Sequence, residues 1–210
     1  SDFIDRENLL LWAESVSLNG RLAEVLIVDN EQAVVTYNIT SENPQGTLEP
    51  PSKVILEEIA KFKRIEIGNG EVFVNYENLW PCNQIGIDYE QGRIIDEISD
   101  KLIMENSDLW SPEVSVFSDL LARGLHPRPG FKYGTLWRCY DQKIGTDHAP
   151  WLIVNPSNKN IDWENACLAS RLASGVNKVW LQPLKINGDW NYLGIVRPPA
   201  KSRWTNPIKK

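Results

Sequence analysis

Two Asn-Gly dipeptides, Asn69-Gly70 and Asn187-Gly188, constrain the fold of this chain more than any other feature. Each stands between segments in which apolar and β-branched residues interleave with polar ones: RIEI and EVFVNY around the first, KVWLQPL and WNYLGIV around the second. Asn and Gly accept the positive φ angles of a two-residue hairpin, so both dipeptides fold their flanks into antiparallel strand pairs. A third pair is expected in RLAEVLIVDNEQAVVTYNI, where two β-branched runs flank Asp29-Asn30. Apolar residues at helical spacing occupy residues 53–62 (KVILEEIAKF), 93–104 (RIIDEISDKLIM), 111–124 and 161–175 (IDWENACLASRLASG). The fold class is therefore α/β in the broad sense, of the α+β kind.

Charge divides the chain. Residues 1–110 hold 21 Asp and Glu against 8 Lys and Arg, and residues 111–210 hold 7 against 14, within an overall formal charge of -6. A split of this size marks two modules with different electrostatic duties, the second suited to a polyanion. A chain of 210 residues can build one sizeable core or two small ones. The expected division is a smaller, acidic, β-rich α+β domain at 1–106, a mixed-sheet domain at 107–200 and a basic tail at 201–210. The loop SENPQGTLEPPS interrupts the first module, which contains no catalytic constellation.

In the second module, Ser111-Pro112-Glu113 starts a helix with a serine cap, a proline in the first turn and an acid at the positive end of the dipole. Val114, Phe117, Leu120 and Leu121 share its apolar face, and Gly124 ends it. HPRPG then reads as a link, FKYGTLWRCY as a strand ending at Tyr140, and WLIV as a short buried strand. In the next helix Trp163, Ala166, Cys167, Ser170 and Ala173 lie on one side, closed by Gly175. Of nine tryptophans, Trp137, Trp151, Trp163 and Trp180 fall within these elements and are expected in the core, whereas Trp204 in the basic tail is suited to exposure.

No apolar run approaches the ~20 residues of a membrane helix. The acidic N-terminal stretch is unlike the positively charged start of a signal peptide. Cys82, Cys139 and Cys167 form no CxxC pair, so neither a disulfide framework nor a zinc site is indicated. These features suit a cytoplasmic protein, or a nuclear one in a eukaryote.

Three groups able to move protons stand at strand ends in the second module: Tyr140 ends one strand, His148 precedes the next, and Lys178 opens the strand after the second helix. Strand ends on one edge of a sheet can converge into a site. Each residue also has a plainer reading: a packed tyrosine, a solvated lysine, and a polar loop histidine beside Asp147.

From about Asp108 to Arg197 the chain resembles the catalytic subunits of the tRNA-splicing endonucleases of archaea and eukaryotes. RGLHPRPGFKYGTLWRCY is similar to that family's segment of Arg-Gly, a short strand, Gly-x-Lys-[Phe/Tyr]-Gly and a strand ending in the catalytic tyrosine. On this resemblance Tyr140 is the catalytic tyrosine and Tyr133 the aromatic of the preceding motif. His148, eight residues on and just before WLIV, matches the catalytic histidine, and RLASGVNK places Arg171 seven residues before the catalytic lysine, Lys178.

The resemblance implies cleavage of precursor tRNA at intron–exon junctions, in bulge-helix-bulge structures, with no metal and no cofactor. Tyr140 is then the general base, a task that requires its pKa to be drawn down from ~10, and His148 the general acid, whose ordinary pKa of ~6.5 suits it. Lys178 balances charge on the non-bridging oxygens. The resemblance further implies that Arg171 and Arg197 bind RNA by stacking on a flipped base presented to an opposing subunit. A homodimer is the first expectation, with a homotetramer or a separate structural subunit as alternatives; residues 53–76 and 162–196 share an order of elements that would suit a degenerate internal copy. The loop LKINGDW departs from the family's acidic docking loop, since Lys185 offsets Asp189. A related ribonuclease for another structured RNA, and a non-catalytic structural subunit, remain the alternative functions.

Overall fold

All three expected strand pairs occur in the computed structural model, which describes residues 3–28, 32–50, 64–67, 70–73, 111–143, 145–199 and 201. Its elements are α1 (Arg6–Leu18), β1 (Ala23–Val28), β2 (Val34–Glu42), β3 (Arg64–Ile67), β4 (Gly70–Phe73), α2 (Pro112–Ala122), β5 (His126–Pro129), β6 (Trp137–Tyr140), β7 (Trp151–Ile153), α3 (Trp163–Gly175), β8 (Val179–Ile186) and β9 (Asp189–Val196). The class is α+β. Two compact units comprise Ser1–Asn43 with Asn158–Lys210, and Pro44–Ser157.

In the first unit, β8 and β9 pair up to Ile186↔Asp189, and the connecting Asn187 and Gly188 adopt φ of +52° and +96°. Two successive left-handed residues make the type I′ turn that Asn-Gly favours. β1 pairs with β2 from Ala23↔Ile39 to Val28↔Val34, and Asp29-Asn30 lies outside the described residues. The other side of β2 pairs with β9, from Asn38↔Val196 to Glu42↔Tyr192. The order β1-β2-β9-β8 is antiparallel throughout. The N-terminal 43 residues thus share a unit with the C-terminal strands. The reason is the marginal stability of an isolated hairpin, which gains far more by extending a sheet. Gly194, opposite Thr40, allows the close approach, because a Cβ there would meet Thr40 Oγ1.

The first helix has no counterpart among the expected elements. Asp5 caps α1 by accepting the Asn8 backbone N–H at 3.2 Å, and Leu10 and Ala13 bury its inner face. The Ile4 N–H donates to Ile161 O at 2.9 Å, tying the residue before the α1 cap to the residue before the α3 cap, Asp162. α3 buries Ala166, Ser170 and Ala173, while Trp163 and Cys167 are half-buried.

In the second unit, Ser111 caps α2 by accepting the Val114 N–H at 3.3 Å, with Pro112 in the first turn. Val114, Phe117, Leu120 and Leu121 are buried as the spacing requires. The helix closes when Gly124, at φ +74°, donates to Leu121 O and Leu125 donates to Leu120 O, the paired bonds of a Schellman end. His126–Pro129 is strand β5, not a link. Its prolines alternate, so their missing N–H groups face away from the partner, which an edge strand tolerates. Conversely, only Trp137–Tyr140 of FKYGTLWRCY is strand: Phe131–Tyr133 forms a 3₁₀ turn ended by left-handed Gly134. β6 pairs with β5 and β7, both antiparallel. Trp137 is buried and meets Phe117 edge-to-face at 5.7 Å between centroids. β3 and β4 pair from Arg64↔Phe73 to Ile67↔Gly70, so Gly70 belongs to a strand, and Asn69 lies outside the described residues. The helices expected at 53–62 and 93–104 lie outside the described residues.

Replacing Phe117 by Ala removes the ring on which α2 and β6 meet. We expect a loss of ~3–5 kcal/mol in urea unfolding with an unchanged denaturant slope.

Candidate active site

The pleat of β5 and β6 separates two faces of the second unit. Trp137 and Cys139 occupy one, with Phe117 against Trp137. Arg138 and Tyr140 occupy the other, and the register sets Arg128 opposite Arg138 and His126 opposite Tyr140. Tyr140 is 8% exposed at the end of β6, and the Arg138 guanidinium lies 5.7 Å from its ring centroid, a cation–π contact that holds the phenol. Tyr133 stands half-buried in the 3₁₀ turn, with the Lys132 ammonium 6.0 Å from its ring.

His126, Arg128 and Arg138 were not candidates from the sequence. HPRPG reads as a loop, and only once it is a strand does His-x-Arg on β5 face Arg-x-Tyr on β6. His126 is fully buried, and burial holds its pKa below the ordinary 6.5 against the opposing effect of its bond to the Glu49 carbonyl. That carbonyl can only accept, so Nε2 carries the proton and donates across 3.1 Å.

His148 lies on the loop between β6 and β7. Gly145 at φ +96° turns the chain there, and Thr146 donates both its N–H and its hydroxyl to Lys143 O. Asp147 then accepts the His148 backbone N–H through Oδ1 at 2.6 Å, while the residue as a whole is exposed. Tyr140 and His148 both belong to the second unit.

Lys178, Arg171 and Arg197 belong to the first unit. α3 ends in a second Schellman closure: Lys178 N–H donates to Ala173 O at 2.9 Å and Asn177 N–H to Ser174 O at 3.3 Å, with Asn177 at φ +54°. The expected terminator, Gly175, is the last helical residue, and Asn177 takes the left-handed position instead. This closure sets Lys178, 8% exposed, at the threshold of β8.

Arg171 is exposed on α3, and Arg197 follows β9 directly, half-buried. Their charges act on one group: the phenol of Tyr37, on β2, which donates to Cys167 O at 3.4 Å. Burial pushes the Tyr37 pKa up to about 12, Cys167 adds to that rise, and Arg197 and Arg171 oppose it. Burial also raises the pKa of the thiols of Cys139 and Cys167, which disfavours thiolate chemistry at either. Among the described residues no group of three or more His, Cys, Asp or Glu is placed to hold a metal ion, and no helix is long and apolar enough to cross a membrane.

Residues 111–192 match the family described as tRNA intron endonuclease, catalytic C-terminal domain. The chain is 33% identical over 113 residues to a tRNA-splicing endonuclease of Thermoplasma volcanium, covering 54% of this chain and 38% of that protein. It is 31% identical over 112 residues to a tRNA-splicing endonuclease of Picrophilus torridus, covering 53% and 38%. The chain thus spans well under half the length of either relative. The resemblance seen over residues 108–197 is present, and Tyr140, His148, Arg171 and Lys178 all lie inside the matched range.

The lowered pKa of His126 predicts a pH dependence. Below about 6.5 the unfolded imidazole takes up a proton that the folded one resists, so stability is lost as pH falls through that range. In denaturant titrations at pH 7 and pH 5, His126→Gln should show a smaller loss than the wild type.

Proposed function

We propose that this chain is an RNA endonuclease subunit that cleaves precursor tRNA at intron–exon junctions of the bulge-helix-bulge kind. The observation that carries the reading is the family match over residues 111–192, a range that includes Tyr140, His148 and Lys178. Tyr140 accepts the proton of the 2'-hydroxyl beside the scissile phosphate. The freed oxygen attacks phosphorus in line, the bond to the 5'-oxygen breaks, and His148 protonates the leaving oxygen. The products are a 2',3'-cyclic phosphate and a 5'-hydroxyl, formed without metal or water as reactant. Lys178 stabilises the negative charge that builds on the non-bridging oxygens.

The surroundings of these residues support their roles. The Arg138 contact restrains the Tyr140 ring, and the exposed position of His148 suits a group that must meet a substrate oxygen. Arg171, exposed on α3, and Arg197, directly after β9, hold an extruded base by stacking. The substrate base comes from RNA engaged by a second subunit, so the active assembly is an oligomer, a homodimer in the simplest case. An acidic module at 1–106 and a catalytic module at 107–200, divided by charge rather than along the compact units, with a tail at 201–210 touching the RNA backbone, belong to the same proposal. A second reading applies the same chemistry to another structured RNA.

Incubation with an intron-containing precursor tRNA in EDTA, followed by analysis of the ends, tests both readings. Cyclic phosphate confined to the bulges supports the first, and cyclic phosphate elsewhere the second. Tyr140→Phe and His148→Ala should each lower the single-turnover rate by ~10²–10⁴ with unchanged circular dichroism. A His148→Ala protein that cleaves as fast as the wild type sinks its assigned role. Arg171→Ala and Arg197→Ala should blur the choice of cleavage position more than they slow cleavage of a preformed bulge.

A further inference from the structure

The end of β6 lacks a complete ladder. Pairing with β7 runs from Trp137↔Ile153 to Cys139↔Trp151 and stops before Tyr140. A strand terminus held on one side frays, yet a general base must keep its place within ~0.5 Å. The segment Gly46–Glu49 supplies restraint at this position. The Gly46 N–H donates to Arg123 O at 2.9 Å and the Leu48 N–H to Gly124 O at 3.0 Å, fixing the segment to the end of α2. The Thr47 N–H points the other way and donates to Asp141 O at 2.9 Å, and Thr47 Oγ1 donates to the same carbonyl at 3.3 Å. Glu49 O receives the His126 Nε2–H at 3.1 Å. The segment therefore grips the residue that follows Tyr140 and the residue directly across from it.

Its approach is close. A Cβ on Gly46 would collide with Gly124 O and would come within 2.9 Å of the Asp141 backbone, so only glycine fits there. Residues 46–49 lie outside the family match at 111–192, and their Pro, Gly and Ser-rich surroundings read as a loop.

We propose that Gly46–Glu49 is a clamp that positions Tyr140, with Thr47 and His126 as the positioning residues through which it acts. The proposal rests on the role given to Tyr140 above. Thr47 fixes the backbone on the C-terminal side of Tyr140, and His126 links the clamp to the strand opposite it. Neither touches substrate. Release of the clamp moves the phenol away from the 2'-hydroxyl while leaving RNA-binding groups in place, so it lowers kcat and leaves KM unchanged.

Five proteins test this on a bulge-containing RNA: wild type, Tyr140→Phe, His126→Leu, His126→Gln and Thr47→Val, with amide hydrogen exchange at Gly46, Thr47 and Leu48 measured in parallel. A displacement of ~1 Å can cost ~10²-fold, so His126→Leu should lose up to that factor in kcat with KM constant. His126→Gln keeps an N–H donor and should recover much of the loss. Thr47→Val should show a smaller fall in kcat together with faster exchange at the three amides. If His126→Leu fails to fold, Thr47→Val and its conservative counterpart Thr47→Ser carry the test, and Thr47→Ser should restore the rate. Wild-type kcat in Thr47→Val and in whichever His126 variant folds overturns the clamp, whatever the amides do. So does a change confined to KM. A fully active Tyr140→Phe would remove the underlying role of Tyr140 instead, whereas an inactive Tyr140→Phe beside fully active clamp variants refutes the clamp alone.

Discussion

The register of β5 against β6 determines which side chains the second unit hides and which it offers. With His126 opposite Tyr140 and Pro129 opposite Trp137, the bulky indole falls on the face that receives Phe117, and the phenol falls on the face shared with two arginines and a histidine. Strand side chains alternate with a period of two, so a slip of one residue would send Tyr140 towards Phe117 and Trp137 away from it. The apolar contact and the position of Tyr140 are thus two consequences of one pairing. The core between α2 and β6 acts as the register lock for the site.

Helix ends do comparable work. Both α2 and α3 finish in the same hydrogen-bond pattern, and in each case the chain leaves in a direction set by one left-handed residue, Gly124 or Asn177. After α2 the exit leads into β5 and the clamp segment docks on the exposed carbonyls. After α3 the exit delivers Lys178 to the start of β8, which converts the seven-residue interval from Arg171 into a defined helical face followed by a strand terminus. A carbonyl at a helix end needs a partner, and here chain reversals meet that need while placing side chains.

Net charge proved a coarser guide than position. The surplus of Lys and Arg after residue 110 suggested a polyanion-binding module, yet Arg128 is 1% exposed and cannot face a phosphate, and Arg138 lies against a tyrosine ring. Part of the surplus is therefore structural, organising the face around Tyr140. Arg171, exposed on α3, is of the kind that a charge count intends.

Local physics was legible in the amino-acid sequence. Asn187-Gly188 specified a type I′ hairpin, Ser111-Pro112 specified a helix start, and the spacing of Val114, Phe117, Leu120 and Leu121 specified a buried face, because each signal acts within a few residues of itself. Tyr140, His148, Lys178, Arg171 and Arg197 were singled out as candidates through an ordered pattern of motifs, which requires no knowledge of distance. The tertiary structure alone decided the partners of those elements: β2 against β9, β5 as a strand despite two prolines, and the clamp of Gly46–Glu49 on Asp141 and His126. The first and last of these contacts join residues 77 to 158 positions apart, and the free energy of all three comes from completing sheets and satisfying stranded carbonyls, quantities that no short window of sequence contains.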